Sequence, residues 1–166
     1  MSADTLLDAI IRREGGFVDH PADRGGPTNW GITQATLAAY RGRPVTVDEV
    51  RALAEDEAKL IYRVQYVYPF AAVADERLKE LVVDAAVNHG VTRATRWLQA
   101  AVGVRDDGKL GPISEAALRA LGPSESDAVY RAFLRSRIRF YGRLISDDPT
   151  QAVFAAGWLN RVAEFV

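Results

Sequence analysis

Apolar side chains recur along this chain mostly at helical spacing. Leu7, Ile10, Ile11 and Glu14 fall at i, i+3, i+4 and i+7, so a carboxylate shares the apolar stripe of the opening helix. Asp4 suits the N-cap of that helix, and Gly15-Gly16 stops it. Residues 15–32 lose the period; their Gly, Pro and Asp content predicts a loop with one short hairpin. Thr33 caps a short helix through Tyr40, broken by Arg41-Gly42-Arg43-Pro44. Thr46 with Glu49 forms a capping-box pattern, opening helical sequence that reaches about Tyr66 and ends before Pro69. Asp75 opens a helix to Gly90, and a shorter one follows to Gly103. Asp106-Asp107-Gly108 predicts a turn, and Pro112 the first turn of a helix ending near Leu121. Gly122-Pro123 resets the chain for a helix from Ser124 to Gly142. Pro149 opens the last helix, on which Phe154, Trp158, Val162 and Phe165 recur. The expected fold class is mainly α, with a small β-hairpin or loop element after the first helix.

Composition narrows the function classes. With 21 Lys and Arg against 22 acids, the formal charge of -1 argues against a dedicated nucleic-acid binder. Arg131, Arg135, Arg137, Arg139 and Arg143 crowd one segment and read as a solvated helix surface. There is no cysteine, hence no disulfide framework or thiolate zinc site. No stretch approaches the ~18 apolar residues that span a bilayer, so no stable membrane insertion is expected. Asp8, Arg12 and Arg13 interrupt the apolar residues of the first twenty positions, which lack a secretory apolar core. Synthesis in the cytoplasm without a signal peptide is expected, with any action on the cell wall or periplasm requiring delivery by another device.

The candidate chemistry gathers around the first helix and the loop after it. Glu14 sits within an apolar stripe and at a helix C-terminus, and both raise a carboxyl pKa, as a general acid needs. Pairing with Arg12, Arg13 or Arg24 is the competing reading. Five glycines among residues 14–33 imply special backbone angles or close approach to a ligand. Asp23, nine positions after Glu14, is the obvious second carboxylate for glycoside hydrolysis, though a loop Asp beside Pro and Gly also forms turns. Thr28 is a candidate for positioning water, and Trp30 for stacking on a sugar. Tyr62 and Tyr66 are candidates for a cleft wall. Asp84 and Asn88 share a helix flank and suit either sugar hydrogen bonds or interhelix bonds. His89 reads as a hydrogen-bonded core histidine.

The run Glu14-Gly15-Gly16-Phe17…Pro21…Asp23…Gly25-Gly26…Thr28…Gly31-Ile32-Thr33 closely resembles the signature of glycoside hydrolase family 108. These are the N-acetylmuramidases of phage endolysins and secretion-linked lysozymes, and every fixed position of their pattern is kept. The resemblance implies a lysozyme-like helical fold and hydrolysis of the β-1,4 bond between N-acetylmuramic acid and N-acetylglucosamine. It implies Glu14 as general acid, with Asp23 and Thr28 like the second and third members of the phage-lysozyme Glu-Asp-Thr arrangement. The Asp23–Thr28 spacing is one residue shorter than in that arrangement, so Asn29 stands near the same place. Asn29, Trp30, Thr33, Tyr62, Asp84 and Asn88 are the candidate substrate-binding residues, and Asp84-Ala85-Ala86-Val87-Asn88-His89-Gly90 also resembles the family. From about Thr92, the segment Trp97-Leu98-Gln99, Gly103 and Asp107-Gly108-Lys109-Leu110-Gly111-Pro112 resembles a helical peptidoglycan-binding segment.

The expected organisation is a catalytic region over 1–91 and a peptidoglycan-binding-like region over 92–166, packed as one compact unit. No cofactor or metal is expected, because Asp106-Asp107-Gly108 lacks the ligand spacing of an EF-hand. The expected partner is the peptidoglycan glycan strand, met by a monomer delivered through a holin or secretion device. Competing readings are a non-catalytic peptidoglycan-binding or secretion-accessory protein, a helical DNA- or protein-interaction module, and a transglycosylase using the same acid.

Overall fold

The computed structural model describes residues 3–19 and 26–166; in the first helix the side chains of Ala3, Asp4, Leu6, Ala9, Arg13 and Glu14 lie outside that description. Contacts divide the chain into two units, one reaching to Tyr68 and the other Pro69–Val166. The architecture is mainly α, with one two-stranded antiparallel sheet after the first helix.

In the N-terminal unit, α1 (Ala3–Glu14) packs on α4 (Glu55–Tyr62). Leu7, Ile10 and Ile11 are at most 2% exposed, and each contributes roughly 1.5–3 kcal/mol by leaving water. Lys59 of α4 reaches Asp8 of α1 at 3.2 Å and Glu55 at 3.0 Å, fixing the helix pair at its rim. Thr33 caps α2 (Gln34–Arg41), accepting from the Thr36 N–H, and Gly42 closes it at φ 67. The Thr46–Glu49 capping box forms as expected at the head of α3 (Val47–Arg51).

The continuous helical run expected from Thr46 to Tyr66 is instead interrupted at Ala52–Ala54. The reason is competition for carbonyls. Asn29 Nδ2 donates to the carbonyls of Val50, Arg51 and Leu53, and Trp30 Nε1 donates to that of Leu53. Acceptors that would otherwise be orphaned at a helix end are satisfied from the preceding hairpin, so the helix stops and α4 starts afresh. After α4 the chain widens into a π-helical turn, Arg63–Val67, and tightens into a 3-10 turn, Tyr68–Phe70. Arg41 clamps this side of the unit, meeting both carboxylate oxygens of Glu57 at 2.9 and 2.8 Å and Glu49 at 3.1 Å. The Arg43 hydrogen bond, with the Thr46 N–H, holds the Glu49 carboxyl down at about 2.

In the C-terminal unit, α5 (Glu76–His89) carries the core residues Leu78, Leu81, Val82, Val83, Ala85 and Ala86, all fully buried. It packs on α6 (Val91–Ala101) and on α8 (Pro123–Asp147), with α7 (Pro112–Arg119) and α9 (Ala155–Ala163) completing the unit. Between α6 and α7, Gln99 organises the turn. It donates to Asp107, the Lys109 carbonyl and Ser114, and accepts from the Gly108 N–H. The Gln99 bond and the Lys109 N–H lower the Asp107 pKa, so this carboxylate serves the turn. Gly108, at φ 80, comes so close to Thr92 that a Cβ would stand 2.9 Å from its methyl group.

Helix α8 runs five residues beyond the expected stop at Gly142. Its buried stripe of Val129, Phe133, Arg137 and Tyr141 repeats every four residues, and that packing outweighs a mid-helix glycine costing about 1 kcal/mol. Pro149 begins a 3-10 turn rather than the last helix, Asp148 capping it through the Thr150 N–H. Phe154, expected on the apolar stripe, is 54% exposed, while Val162 and Phe165 are buried. Among the described residues no helix is long and apolar enough to cross a membrane.

Candidate active site

Glu14 is the last residue of α1, and the Gly15 N–H donates to the Ile11 carbonyl at 3.3 Å, with Gly15 at φ 70. The helix thus ends on a left-handed glycine, and the chain turns sharply away. Two residues beyond Gly16, Val18 exchanges both backbone hydrogen bonds with Thr28, each 2.8 Å. This antiparallel bridge ties the segment after Glu14 to the hairpin of β1 (Thr28–Asn29) and β2 (Ile32–Thr33). Asp23 lies outside the described residues.

The hairpin turn is Trp30-Gly31, with φ 53 and 74, the type I′ pattern that matches strand twist. A tryptophan in left-handed backbone is strained, and such conformations persist only where the surroundings fix them. Three side chains do so here. Asn29 is 4% exposed, with its amide bound to the α3 end. The Trp30 indole N–H is held at 3.0 Å by the Leu53 carbonyl. The Tyr62 hydroxyl donates to the Trp30 carbonyl at 3.3 Å.

The structure therefore brings Thr28, Asn29, Trp30, Thr33 and Tyr62 together around one hairpin, where several of their polar groups are already engaged. Asn29 and Tyr62, at 4% exposure each, anchor the hairpin through their hydrogen bonds. Thr33 uses its hydroxyl as a helix cap. Thr28 is half-buried, its backbone paired on both sides. Trp30 is half-buried with its N–H occupied, and Tyr66, half-buried against Tyr62 with ring centroids 5.5 Å apart, is the more open of the tyrosine pair. Burial pushes the Tyr66 phenol pKa up.

Asp84 and Asn88 belong to the C-terminal unit. The Asp84 carboxylate, 2% exposed, lies 2.6 Å from Arg137 and 2.7 Å from Arg161. Asn88 turns its amide to the Asp84 carbonyl at 2.6 Å. The interhelix reading holds: Asp84 joins α5 to α8 and α9. Arg137, expected on a solvated surface, is wholly buried, while Arg131, Arg135, Arg139 and Arg143 are exposed. The sequence reasoning passed over Arg161. Its signal was the single charge within Leu81-Val82-Val83-Asp84-Ala85-Ala86, because a lone carboxylate in an apolar run needs a cation.

His89 is the core histidine expected, its Nε2 3.0 Å from the Tyr141 hydroxyl and its ring edge-on to Trp97, Phe140 and Tyr141. Burial among these rings, with Arg137, Arg93 and Arg161 opposing protonation and Asp84 favouring it, lowers its pKa to about 4. The unfolded chain takes a proton near the ordinary 6.5, so stability falls as pH drops from about 6.5 towards 4. A thermal melt should lose roughly 5 °C across that interval. His89→Gln should flatten this limb and leave the loss below pH 4.5, where carboxylates such as Glu49 take up protons. Among the described residues no cluster of three His, Asp or Glu side chains is placed to hold a metal.

The glycine-closed helix that ends at Glu14 leads directly into this strained hairpin. Residues 7–90 match the model of Glycosyl hydrolase 108 and residues 93–163 that of a Predicted Peptidoglycan domain. The chain belongs to glycoside hydrolase family 108 and is a peptidoglycan hydrolase joined to a peptidoglycan-binding segment. It is similar to SagA of Brucella abortus, with 34% identity and a TM-score of 0.71 over 98% of this chain and 90% of that one. No match is found among curated proteins.

Proposed function

We propose that the chain is an N-acetylmuramidase, hydrolysing the β-1,4 bond between N-acetylmuramic acid and N-acetylglucosamine. Protonated Glu14 donates to the glycosidic oxygen, and ionised Asp23 activates or orients a water, or stabilises the oxocarbenium-like transition state. The observation that carries this reading is the position of Glu14: last residue of α1, on the register of the buried Leu7, Ile10 and Ile11, and opening the stretch whose fixed positions all fit family 108. Thr28, at the edge of the hairpin, is the third member, in reach of a water or a sugar hydroxyl. The enzyme acts as a monomer on the wall or periplasm, reached through a holin or secretion device.

Purified murein digested to completion should yield fragments ending in reducing N-acetylmuramic acid, each heavier by one water than an anhydro product. Mass spectrometry of the borohydride-reduced digest distinguishes them. Anhydro ends would mean that the same acid works without water, as in a transglycosylase; reducing N-acetylglucosamine ends would place the cut at the other bond. Inversion at the anomeric carbon is the outcome expected, and proton NMR of early products should show the α-anomer first.

A further inference from the structure

The C-terminal unit contains a cavity of about 340 Å³ that none of the catalytic assignments uses. That volume lies within the range of small-ligand sites. Its walls are aromatic: Phe140 and Tyr141 from α8 and Trp158 from α9, with His89 at the end of α5. Tyr141 and Trp158 stack with centroids 4.9 Å apart, leaving a firm, flat apolar side. Two guanidinium groups, Arg93 and Arg161, line the same space, and no carboxylate lines it.

The charge beneath the cavity is unbalanced. Asp84 is shared between Arg137 and Arg161 and so cannot neutralise both. Although Arg137 Nη2 is 2.6 Å from the Asp84 carboxylate, the contact lies off the N–H direction, and none of the three Arg137 nitrogens has a hydrogen-bond acceptor among the described residues. Glu164 adds a second carboxylate towards Arg161, but it is solvent-exposed beyond α9. Arg93 lies 4.5 Å over the Phe140 ring and has no carboxylate partner among the described residues. His89 is neutral near pH 7, so it supplies a polar edge and no charge. Two guanidinium groups, Arg137 wholly buried and Arg161 23% exposed, thus face one buried carboxylate, and an anion entering the cavity beside Arg161 offsets that excess.

We propose that this cavity binds a free carboxylate of the peptidoglycan stem peptide, Arg93 and Arg161 taking the carboxylate and the aromatic walls taking the adjoining aliphatic carbons. Arg161 already donates to Asp84 at 2.7–3.3 Å, but a neutral sugar ring would bring no counter-charge to Arg93; a peptide acid supplies one and fills the apolar side. The identity of the ligand rests on the chain being a peptidoglycan hydrolase. The cavity is therefore a second hold on the substrate, reading the peptide while the N-terminal unit cuts the glycan.

The test is titration calorimetry of the full chain with a synthetic stem tetrapeptide, its fully amidated counterpart, and the peptide-free disaccharide. The free-acid peptide should bind, and amidation should weaken binding about tenfold or more. Arg93→Gln, at an exposed position that leaves the melting temperature unchanged, should weaken the free-acid peptide about tenfold and leave the amidated one unaffected. Equal binding of the two peptides, tighter binding of the disaccharide, or an Arg93→Gln protein indistinguishable from the parent would each overturn the site. Murein digestion is measured in parallel. Digestion without peptide binding would remove the site and leave the hydrolase reading standing, whereas peptide binding without digestion would do the reverse.

Discussion

Glu14→Gln should cut the release of soluble fragments from purified murein by about 10²–10⁴-fold, the usual cost of removing a general acid. The amide matches the carboxyl in size and hydrogen-bonding reach but has no acidic proton to give to the leaving oxygen. The fold should be unaffected, because α1 is held by the buried Leu7, Ile10 and Ile11 and by the Lys59–Asp8 ion pair, none of which involves Glu14. Circular dichroism and the melting temperature should therefore match the parent protein. Glu14→Asp keeps the proton but withdraws it by one methylene and should retain a small fraction of activity. The two variants together separate proton donation from mere occupancy. A Gln protein that clears murein at the parental rate would show that some other group protonates the bridge, and the muramidase mechanism would have to be rebuilt around it.

Much of this architecture is legible in the sequence because local signals govern it. The Thr33 cap, the Thr46–Glu49 capping box, the Asp75 cap and the glycine stop after Glu14 depend on side chains within four residues of the backbone groups they satisfy. A hairpin was expected within residues 15–32 from its turn residues, and Trp30-Gly31 forms it. The outlines that failed were those decided by distant partners. Nothing between Thr46 and Tyr66 announces a break at Ala52; the cause is Asn29 and Trp30, more than twenty positions earlier, taking carbonyls at the end of α3 and at Leu53 just beyond it. The extension of α8 past Gly142 is likewise a matter of what Tyr141 packs against.

The candidate site divides in the same way. Spacing singled out the residues of the hairpin, but polar residue types do not reveal whether their groups face a ligand or a carbonyl of their own chain. Asn29 spends its amide on carbonyls at the α3 end, and Thr33 spends its hydroxyl on the cap of α2. The consequence for the enzyme is that the hairpin carries its own scaffolding: the strained Trp30 is fixed through Leu53 and Tyr62, and the bridge from Thr28 to Val18 carries that rigidity to the segment following Glu14.

Asp84→Ala should be the most destabilising single change in the C-terminal unit. The carboxylate is 2% exposed, and its partners Arg137 and Arg161 are 0% and 23% exposed. Removing it leaves Arg137 as a buried cation with no counter-charge, at a cost of about 3–5 kcal/mol. For a chain of this size the melting temperature should fall by about 10 °C. Charge and packing make opposite forecasts for a second variant. If the loss comes from the stranded cation, Asp84→Leu combined with Arg137→Leu should recover most of the stability, because Arg161 can turn its head to water and apolar side chains fill the gap. If it comes from a lost shape, the pair should be worse than either change alone. Urea unfolding of the two single variants and the double variant gives the coupling directly. A single Asp84→Ala protein within 1 kcal/mol of the parent, marked by an unmoved urea midpoint, would show that the interior cations are solvated by some route other than this carboxylate (about 1 kcal/mol being an ordinary substitution effect).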